Sequence, residues 1–258
     1  MNTFANKDRE AIIIGASPMG REKEGLIKLL LKAGYGSKDE EKSITCTGNC
    51  KSCKSACGTR AGLNDIYVMA ADGGLEFLLK NDMLPDYFVG DLDSFETESG
   101  LTGEEINELL KKIPHKIVPV EKDDTDMALA VQIACEKGCN KIIVYGGLGG
   151  ARISHTFANV QLMADYAKKG ITMLLMGNGV KAEVIYNSKK NYPAIMKGSI
   201  SVISLSDVSH GVMIKGLKYE YEGDLTNTRA LGVSNSFIGK RASVSVENGT
   251  LLLIYERK

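Results

Sequence analysis

Acidic side chains recur where the predicted strands of the first half of the chain end. Asp91 and Asp93 follow the apolar run YFVG, Asp72 follows IYVMAA, and Asp126 opens a helix after KIVPVEK. Residues two apart in an extended chain point the same way, so Asp91 and Asp93 can aim at one point. Converging carboxylates repel unless a cation neutralises them, and oxygen ligands without His or Cys suit Mg²⁺ and phosphate oxygens. The set together therefore indicates a magnesium site for a phosphate-bearing substrate. Each aspartate alone is explained equally well as a residue that caps the start of a helix, and Thr125 also fits that capping role.

Two glycine-rich turns could bind the phosphates. The stretch YGGLGGARISH, residues 145–155, offers backbone N–H groups and the two-pronged donor Arg152 at the start of a helix. The first turn, GASPMG, places Ser17 at a second helix N-terminus, where Pro18 equally explains the helix start. Neither turn is a GxxxxGK[ST] loop, and a glycine-rich turn before a helix is often only a tight turn. Both interpretations stay open at this point.

The elements that must position these residues alternate between strands and helices. Apolar, strand-like runs occupy residues 11–15, 66–71, 86–90, 116–120, 141–146 and 171–177. Helical patterns separate most of them, which predicts an α/β fold with a mostly parallel sheet covered by helices. In such sheets ligands bind outside the carboxyl ends of the strands, where the aspartates fall.

The last third of the chain has a different rhythm. Short β-rich runs bounded by glycine and asparagine replace the helical spacing, and ENGT at 247–250 is typical of a tight hairpin turn. We predict an α/β nucleotide-binding catalytic domain over residues 1–178, followed by a small all-β sandwich domain over 182–258. The segment 36–60 is predicted to be an insertion.

Composition limits the classes of function. Lysine plus arginine and aspartate plus glutamate number 32 each, so no global field attracts nucleic acid or an anionic membrane. The polar start of the chain and the short apolar run AIIIGA do not form a signal core or a membrane span. We therefore expect a cytoplasmic protein without nucleic-acid or membrane partners.

Four of the six cysteines form a cluster, Cys46, Cys50, Cys53 and Cys57. In a cytosolic chain such a cluster indicates zinc, an iron–sulfur centre or free thiols more often than disulfides. The spacing does not choose among these, so the cluster is a possible second metal site.

Four motifs together resemble the thiamine pyrophosphokinase family. They are ADGG at 71–74, GDLDS at 90–94, KDDTD at 122–126 and GGARISH at 149–155, in the order found in that family. In the tail, GLKYEYEG and VSNSF resemble segments of the family's β-domain. The ordered set is far more specific than any one motif.

The resemblance implies an enzyme that transfers pyrophosphate from ATP to the hydroxyethyl group of thiamine, giving thiamine diphosphate and AMP. It implies a Mg²⁺-dependent homodimer, with thiamine bound between the subunits at the β-domain. Catalysis and metal binding would fall to Asp91, Asp93 and Asp126. The ATP-binding residues would be Asp72, Ser94, Asp123, Thr125, Arg152 and His155. The substrate-binding residues would be Tyr219, Ser234 and Asn235.

Two departures from the family pattern bear on the substrate. Where the family commonly reads GGR-x-DH, this chain has Ala151 for a glycine and Ser154 for the aspartate. Asp124 or Asp165 could compensate for the missing carboxylate. Tyr219 stands where tryptophan is common, although either ring can stack on a cationic heterocycle. Two alternatives are a pyrophosphokinase for another alcohol, such as a hydroxymethyl pterin, and a non-catalytic sensor of nucleotide or metal.

Overall fold

The computed structural model describes residues 9–36, 66–91, 102–119 and 123–257. The cysteine cluster 46–57 and most of the predicted insertion lie outside these residues. Among the described helices, none is long and apolar enough to cross a membrane.

Six parallel strands form one half of a large sheet. They are β1 (Glu10–Ile14), β2 (Ile66–Ala71), β3 (Tyr87–Gly90), β4 (His115–Ile117), β5 (Lys141–Tyr145) and β6 (Thr172–Gly177). Their order across the sheet is β6-β5-β1-β2-β3-β4. The sequence predicted each of these strands as an apolar run, which is typical of strands buried on both faces, although β4 is exposed.

In the part of the chain that the structure describes, five helices cover both faces of the parallel half. They are α1 (Glu22–Lys32), α2 (Gly74–Leu79), α3 (Gly103–Leu110), α4 (Asp126–Glu136) and α5 (Ile153–Lys168). Alternation along β1 shows the two faces: Ile12 and Ile14 pack with α1, α2 and α3, while Ile13 packs with α4 and α5. The α/β class predicted from the sequence is confirmed.

The sheet does not end at β6. β7 (Val180–Tyr186) pairs antiparallel with β6, and β14 (Thr250–Arg257), β9 (Gly198–Ser204) and β12 (Asn235–Ser236) extend the same sheet to ten strands. Asn178 and Gly179, both with positive φ, make the two-residue turn of the β6–β7 hairpin. The parallel and antiparallel halves are therefore one hydrogen-bonded sheet.

A second sheet packs on the antiparallel half. Its strands are β8 (Lys189–Tyr192), β10 (Val208–Lys215), β11 (Tyr221–Thr226) and β13 (Ala242–Ser245), in the order β11-β10-β13-β8. Tyr192 lies at the centre of the shared core, where its ring meets those of Phe237 and Tyr255 edge to face at 5.4 Å. The sandwich predicted for the tail is confirmed.

The hairpin predicted at ENGT is wrong. β13 before it belongs to the second sheet and β14 after it belongs to the ten-stranded sheet, so the two strands are not partners. The backbone of Asn248 bonds to His210 instead, and Gly249 has φ +141°, outside the range that a two-residue hairpin turn requires. The segment carries the chain from one sheet to the other.

Candidate active site

A cleft of about 710 Å³ opens at the carboxyl ends of the parallel strands. Six of the predicted site residues line it, namely Asp72, Asp91, Thr125, Asp126, Arg152 and His155. Asp123 is exposed beside the cleft but is not part of its lining. Asp93 and Ser94 lie outside the described residues. The structure thus brings together residues from four separate loops that the sequence could only group by motif.

The turn ADGG holds Asp72 in an uncommon backbone conformation. Asp72 has φ +50°, and its backbone N–H donates to Val89 O at 2.8 Å. The α2 helix begins two residues later, at Gly74. That position requires glycine, because a Cβ there would overlap the carbonyl oxygen of Ile14. Non-glycine residues with such φ values are often found at functional sites, where the surrounding structure maintains the strain.

Gly90 allows the end of β3 to approach Asp72. A Cβ on Gly90 would lie 2.8 Å from the ring of Phe88 and 3.2 Å from the Cα of Asp72. Glycine at this position lets β3 pass close to the ADGG turn, where a larger residue would not fit. The strand end then places Asp91 in the cleft. The glycine of GDLDS is therefore explained by this close approach.

The third acidic segment enters through a capped helix. The Thr125 hydroxyl accepts a hydrogen bond from Ala128 N at 3.1 Å, which confirms its N-cap role. Asp126 is consequently the first helical residue, where the helix dipole favours a carboxylate. Asp124, just before the cap, also lines the cleft.

The two glycine-rich turns pack against each other. Ser17 N donates to Gly146 O at 3.3 Å, and Ser17 Oγ donates to Gly149 O at 3.2 Å. Gly146 has φ +70°, and a Cβ there would lie 2.7 Å from the carbonyl oxygens of Gly15 and Ser17. The two loops thus form one continuous wall of the cleft.

Two residues of α5 that sequence reasoning missed support this wall. Asn159 is buried and its Nδ2 donates to Gly147 O at 2.8 Å. The Thr156 hydroxyl accepts from Gly149 N at 3.0 Å. No sequence signal distinguishes them from ordinary polar residues of a helix, because their partners are backbone atoms of the preceding loop.

Among the described residues, the charge that lines the cleft is unbalanced. These residues supply four carboxylates, those of Asp72, Asp91, Asp124 and Asp126, and one guanidinium, that of Arg152. Such a surface repels a polyphosphate unless a cation accompanies it. The lining therefore suits a phosphate ester bound together with a divalent cation.

Only one of the two candidates for replacing the missing carboxylate at Ser154 reaches the cleft. Asp124 lines it, whereas Asp165 lies on the exposed C-terminal half of α5 and pairs with Lys169 at 2.6 Å. Ser154 itself is exposed in the first turn of α5.

The predicted substrate-binding residues lie elsewhere, in the β-sandwich. Tyr219 is 60% exposed in the connection between β10 and β11, and it lines a groove of about 290 Å³ with Tyr221, Leu231 and Asn235. Ser234 has φ +62° and is exposed next to this groove without being part of its lining. Tyr219 therefore lies in a loop, with its ring exposed at the edge of the groove.

Asn235 fixes the backbone of Tyr219. Its Oδ1 accepts from Tyr219 N at 3.0 Å and its Nδ2 donates to Tyr219 O at 2.6 Å. The Asn235 side chain is buried, so its amide is engaged with the protein backbone. The Lys218 ammonium lies 5.0 Å from the centre of the Tyr219 ring, within the range of a cation–π contact.

Comparison with known proteins gives a consistent result. The family model described as thiamin pyrophosphokinase, catalytic domain, matches residues 62–175, and the model described as thiamin pyrophosphokinase, vitamin B1 binding domain, matches residues 184–251. Thiamine pyrophosphokinase of Bacillus subtilis (strain 168) is 29% identical over 192 residues, covering 72% of this chain and 85% of the relative.

Solved structures show the same fold. The crystal structure of the Bacillus subtilis thiamine pyrophosphokinase has a TM-score of 0.70 at 22% identity, covering 97% of this chain and 100% of that one. The yeast thiamin pyrophosphokinase has a TM-score of 0.67 at 14% identity, covering 99% and 88%. The similarity extends over both the parallel sheet and the sandwich.

A parallel sheet with an acidic cleft, continued by a β-sandwich that the vitamin-binding model matches, defines a transferase of the kinase class. The chain belongs to the thiamine pyrophosphokinase family.

Proposed function

We propose that this protein transfers the terminal pyrophosphate of ATP to the hydroxyl group of thiamine, giving thiamine diphosphate and AMP. The observation that carries the proposal is the convergence of four carboxylates and Arg152 in one cleft at the carboxyl ends of the parallel strands. A phosphate-rich nucleotide and its counter-ion fit that charge pattern. The vitamin B1 binding model over residues 184–251 favours thiamine over a pterin as the acceptor.

The residues present fit a magnesium ion. Asp91 and Asp126 supply hard oxygen donors in the same cleft, and Mg²⁺ typically takes one or two protein carboxylates, leaving other positions to water and phosphate. Among the described residues no group of three or more His, Cys, Asp or Glu side chains forms a self-contained metal cage. Asp91 and Asp126 would hold the ion, with Asp93 as a further ligand. When bound, Mg²⁺ neutralises charge on the phosphates.

The chemistry asks the protein to position its substrates. The hydroxyl oxygen of thiamine forms a bond to the β-phosphorus of ATP, and the bond from that phosphorus to the oxygen bridging the α- and β-phosphates breaks. AMP leaves with that oxygen, and the hydroxyl proton passes to a cleft carboxylate. Arg152 at the start of α5 would hold phosphate oxygens with its two-pronged guanidinium. Asp72 and Thr125 would line the nucleotide, with Asp123, Ser94 and His155 nearby.

The separation of cleft and groove supports a homodimer. Five strand spacings lie between β5 at the cleft and β12 at the groove, which is roughly 24 Å across the sheet. A thiamine in the groove of one chain therefore does not reach the cleft of the same chain by a short movement. We propose that the groove with Tyr219, Ser234 and Asn235 serves the cleft of a second copy. The 182–258 segment would then be the thiamine-binding and dimerisation domain, and 1–178 the catalytic one.

The test is to incubate the protein with Mg²⁺, ATP and thiamine and to quantify AMP and thiamine diphosphate by chromatography. Equal amounts of both products are expected. Asp126→Asn should lower turnover by about a hundredfold or more, since it removes a charge from the reacting centre. Asp165→Asn is the matched control, because that carboxylate is exposed and remote from the cleft. AMP formation only with another alcohol would reject thiamine as the acceptor, and no product with any acceptor would favour a nucleotide sensor.

A further inference from the structure

Three side chains hold the glycine-rich loop between β5 and α5 from outside the loop. Ser17 Oγ donates to Gly149 O at 3.2 Å, and Asn159 Nδ2 donates to Gly147 O at 2.8 Å. Thr156 Oγ1 accepts from Gly149 N at 3.0 Å and lies 3.4 Å from Gly149 O. One loop residue, Gly149, thus has both of its backbone polar groups bound by side chains.

The Gly149–Gly150 part of the loop needs this support, because neither residue has a side chain that packs or restricts its backbone. Gly149 and Gly150 have φ +79° and +87°, and glycine samples such conformations without a preference that would hold them. A peptide unit between two glycines can rotate and exchange the directions of its C=O and N–H groups. Ser17 Oγ and Thr156 Oγ1, both within hydrogen-bond distance of Gly149 O, oppose that rotation. The bonds of Thr156 to Gly149 N and of Asn159 to Gly147 O hold the two preceding peptide units.

Fixing a carbonyl also fixes the next N–H group. The peptide unit is planar and trans, so its C=O and N–H point in opposite directions. With Gly149 O bound to Ser17 Oγ, the N–H of Gly150 points away from that hydroxyl. Ser17 and Gly150 both line the cleft, so the direction of this peptide unit decides which of its polar groups a bound phosphate meets. An inward carbonyl would repel a phosphate, whereas an inward N–H attracts one.

We infer that Thr156, together with Ser17 and Asn159, is a positioning residue that holds the β5–α5 loop in its anion-binding conformation. The inference rests on the proposed function, since it concerns the phosphates of the same nucleotide. Thr156 acts through the loop backbone and is not a catalytic residue. Its contribution is to remove the loop conformations that do not bind phosphate before the nucleotide arrives.

The decisive variant is Thr156→Val, which keeps the shape of the side chain and removes the hydroxyl. We expect the affinity for ATP with Mg²⁺, measured by calorimetry without thiamine, to fall about tenfold, because two polar groups of Gly149 lose a partner. Thr156→Ser keeps the hydroxyl and should remain within about twofold of the wild type. Thr172→Val is the matched control, because Thr172 is exposed at the start of β6, away from the cleft.

A double-mutant cycle separates positioning from general packing. Ser17 and Thr156 both bind Gly149, so the effects of Ser17→Ala and Thr156→Val on ATP affinity should not add. Two independent packing defects would add within a factor of about two. Melting temperatures of all variants show whether a loss of affinity is only a loss of folded protein.

The possible results are distinct. Unchanged ATP affinity and turnover in Thr156→Val, or an equal loss in Thr156→Ser, would overturn the positioning role and leave the proposed function standing. If the wild type binds ATP but forms no thiamine diphosphate, the proposed function fails and the affinities of the variants still decide the positioning role. If the wild type binds no ATP, both are overturned.

Discussion

Replacing Asn235 by alanine is expected to release the backbone that presents Tyr219. The Asn235 amide makes three hydrogen bonds: Tyr219 N and Ser236 N donate to its Oδ1 at 3.0 and 2.8 Å, and its Nδ2 donates to Tyr219 O at 2.6 Å. The side chain is 4% exposed, so water cannot simply replace it in the native state. The variant leaves two N–H groups and one carbonyl without these partners.

The magnitude follows from those three bonds. At about 1 kcal/mol for each, the free energy of unfolding should fall by about 3 kcal/mol. For a chain of this size that corresponds to a melting temperature lower by about 6–12 °C. If the proposed role of Tyr219 holds, the KM for thiamine should rise more than the KM for ATP, because only the groove is disturbed.

Thermal unfolding followed by circular dichroism measures the first effect, and steady-state kinetics measures the second. Asn191→Ala is the matched control, since Asn191 is exposed on β8 and an asparagine is lost in both cases. A melting temperature of Asn235→Ala within about 2 °C of that control would refute the reasoning, because the three bonds would then contribute nothing measurable.

Three further outcomes are expected. Gly74→Ala should lower the free energy of unfolding in urea by about 3 kcal/mol or more, because its Cβ would overlap the carbonyl of Ile14. Gly25→Ala is the control: the position faces open space within α1, so the free energy of unfolding should rise by about 0.5–1 kcal/mol. Equal effects of the two substitutions would contradict the steric argument. Burial and the neighbouring thiol of Cys139 raise the pKa of Cys135 to about 11. Alkylation of Cys135 near pH 8 should therefore be about a hundredfold slower in the folded protein than in the unfolded chain, as measured by mass spectrometry of the peptide that contains it. Burial alone would raise the pKa of Glu22, but hydrogen bonds from backbone N–H groups outweigh it and lower the pKa. The stability that this carboxylate adds is thus present above the usual glutamate pKa and lost as the pH falls through the lowered value. Glu22→Gln should therefore lose less melting temperature than the wild type between about pH 6 and about pH 3.

The parallel half of the fold was readable from the sequence for a simple physical reason. Most of its strands are buried on both faces, so apolar runs mark them, and side-chain caps mark the start of two of the described helices, at Thr102 and Thr125. The strand predicted at 66–71 is found as Ile66–Ala71, and the cap predicted at Thr125 is present. β4 is shorter than predicted, and all three of its side chains are exposed. An apolar run predicts the ends of an exposed strand poorly, because burial does not fix them.

The pairing of the later strands could not be predicted from the sequence, as two Asn-Gly dipeptides illustrate. Asn178-Gly179 forms a two-residue hairpin, whereas Asn248-Gly249 crosses between sheets. The strands on either side of Asn178-Gly179 pair with each other, whereas those on either side of Asn248-Gly249 pair with strands far away in sequence, which the dipeptide itself does not reveal. For the site, motifs located the cleft residues, but the Thr156 and Asn159 contacts depend on loop geometry that no local pattern encodes.

The pairing of β6 with β7 also constrains how this enzyme can move. Within the described residues, ten strands joined edge to edge leave no hinge between the cleft end and the sandwich end of one chain. Rigid-body closure of one half upon the other, the usual way in which two-lobed kinases exclude water, would require breaking that ladder. Any closure over the substrates must therefore come from loops at the strand ends or, in the proposed homodimer, from a change in the arrangement of the two chains.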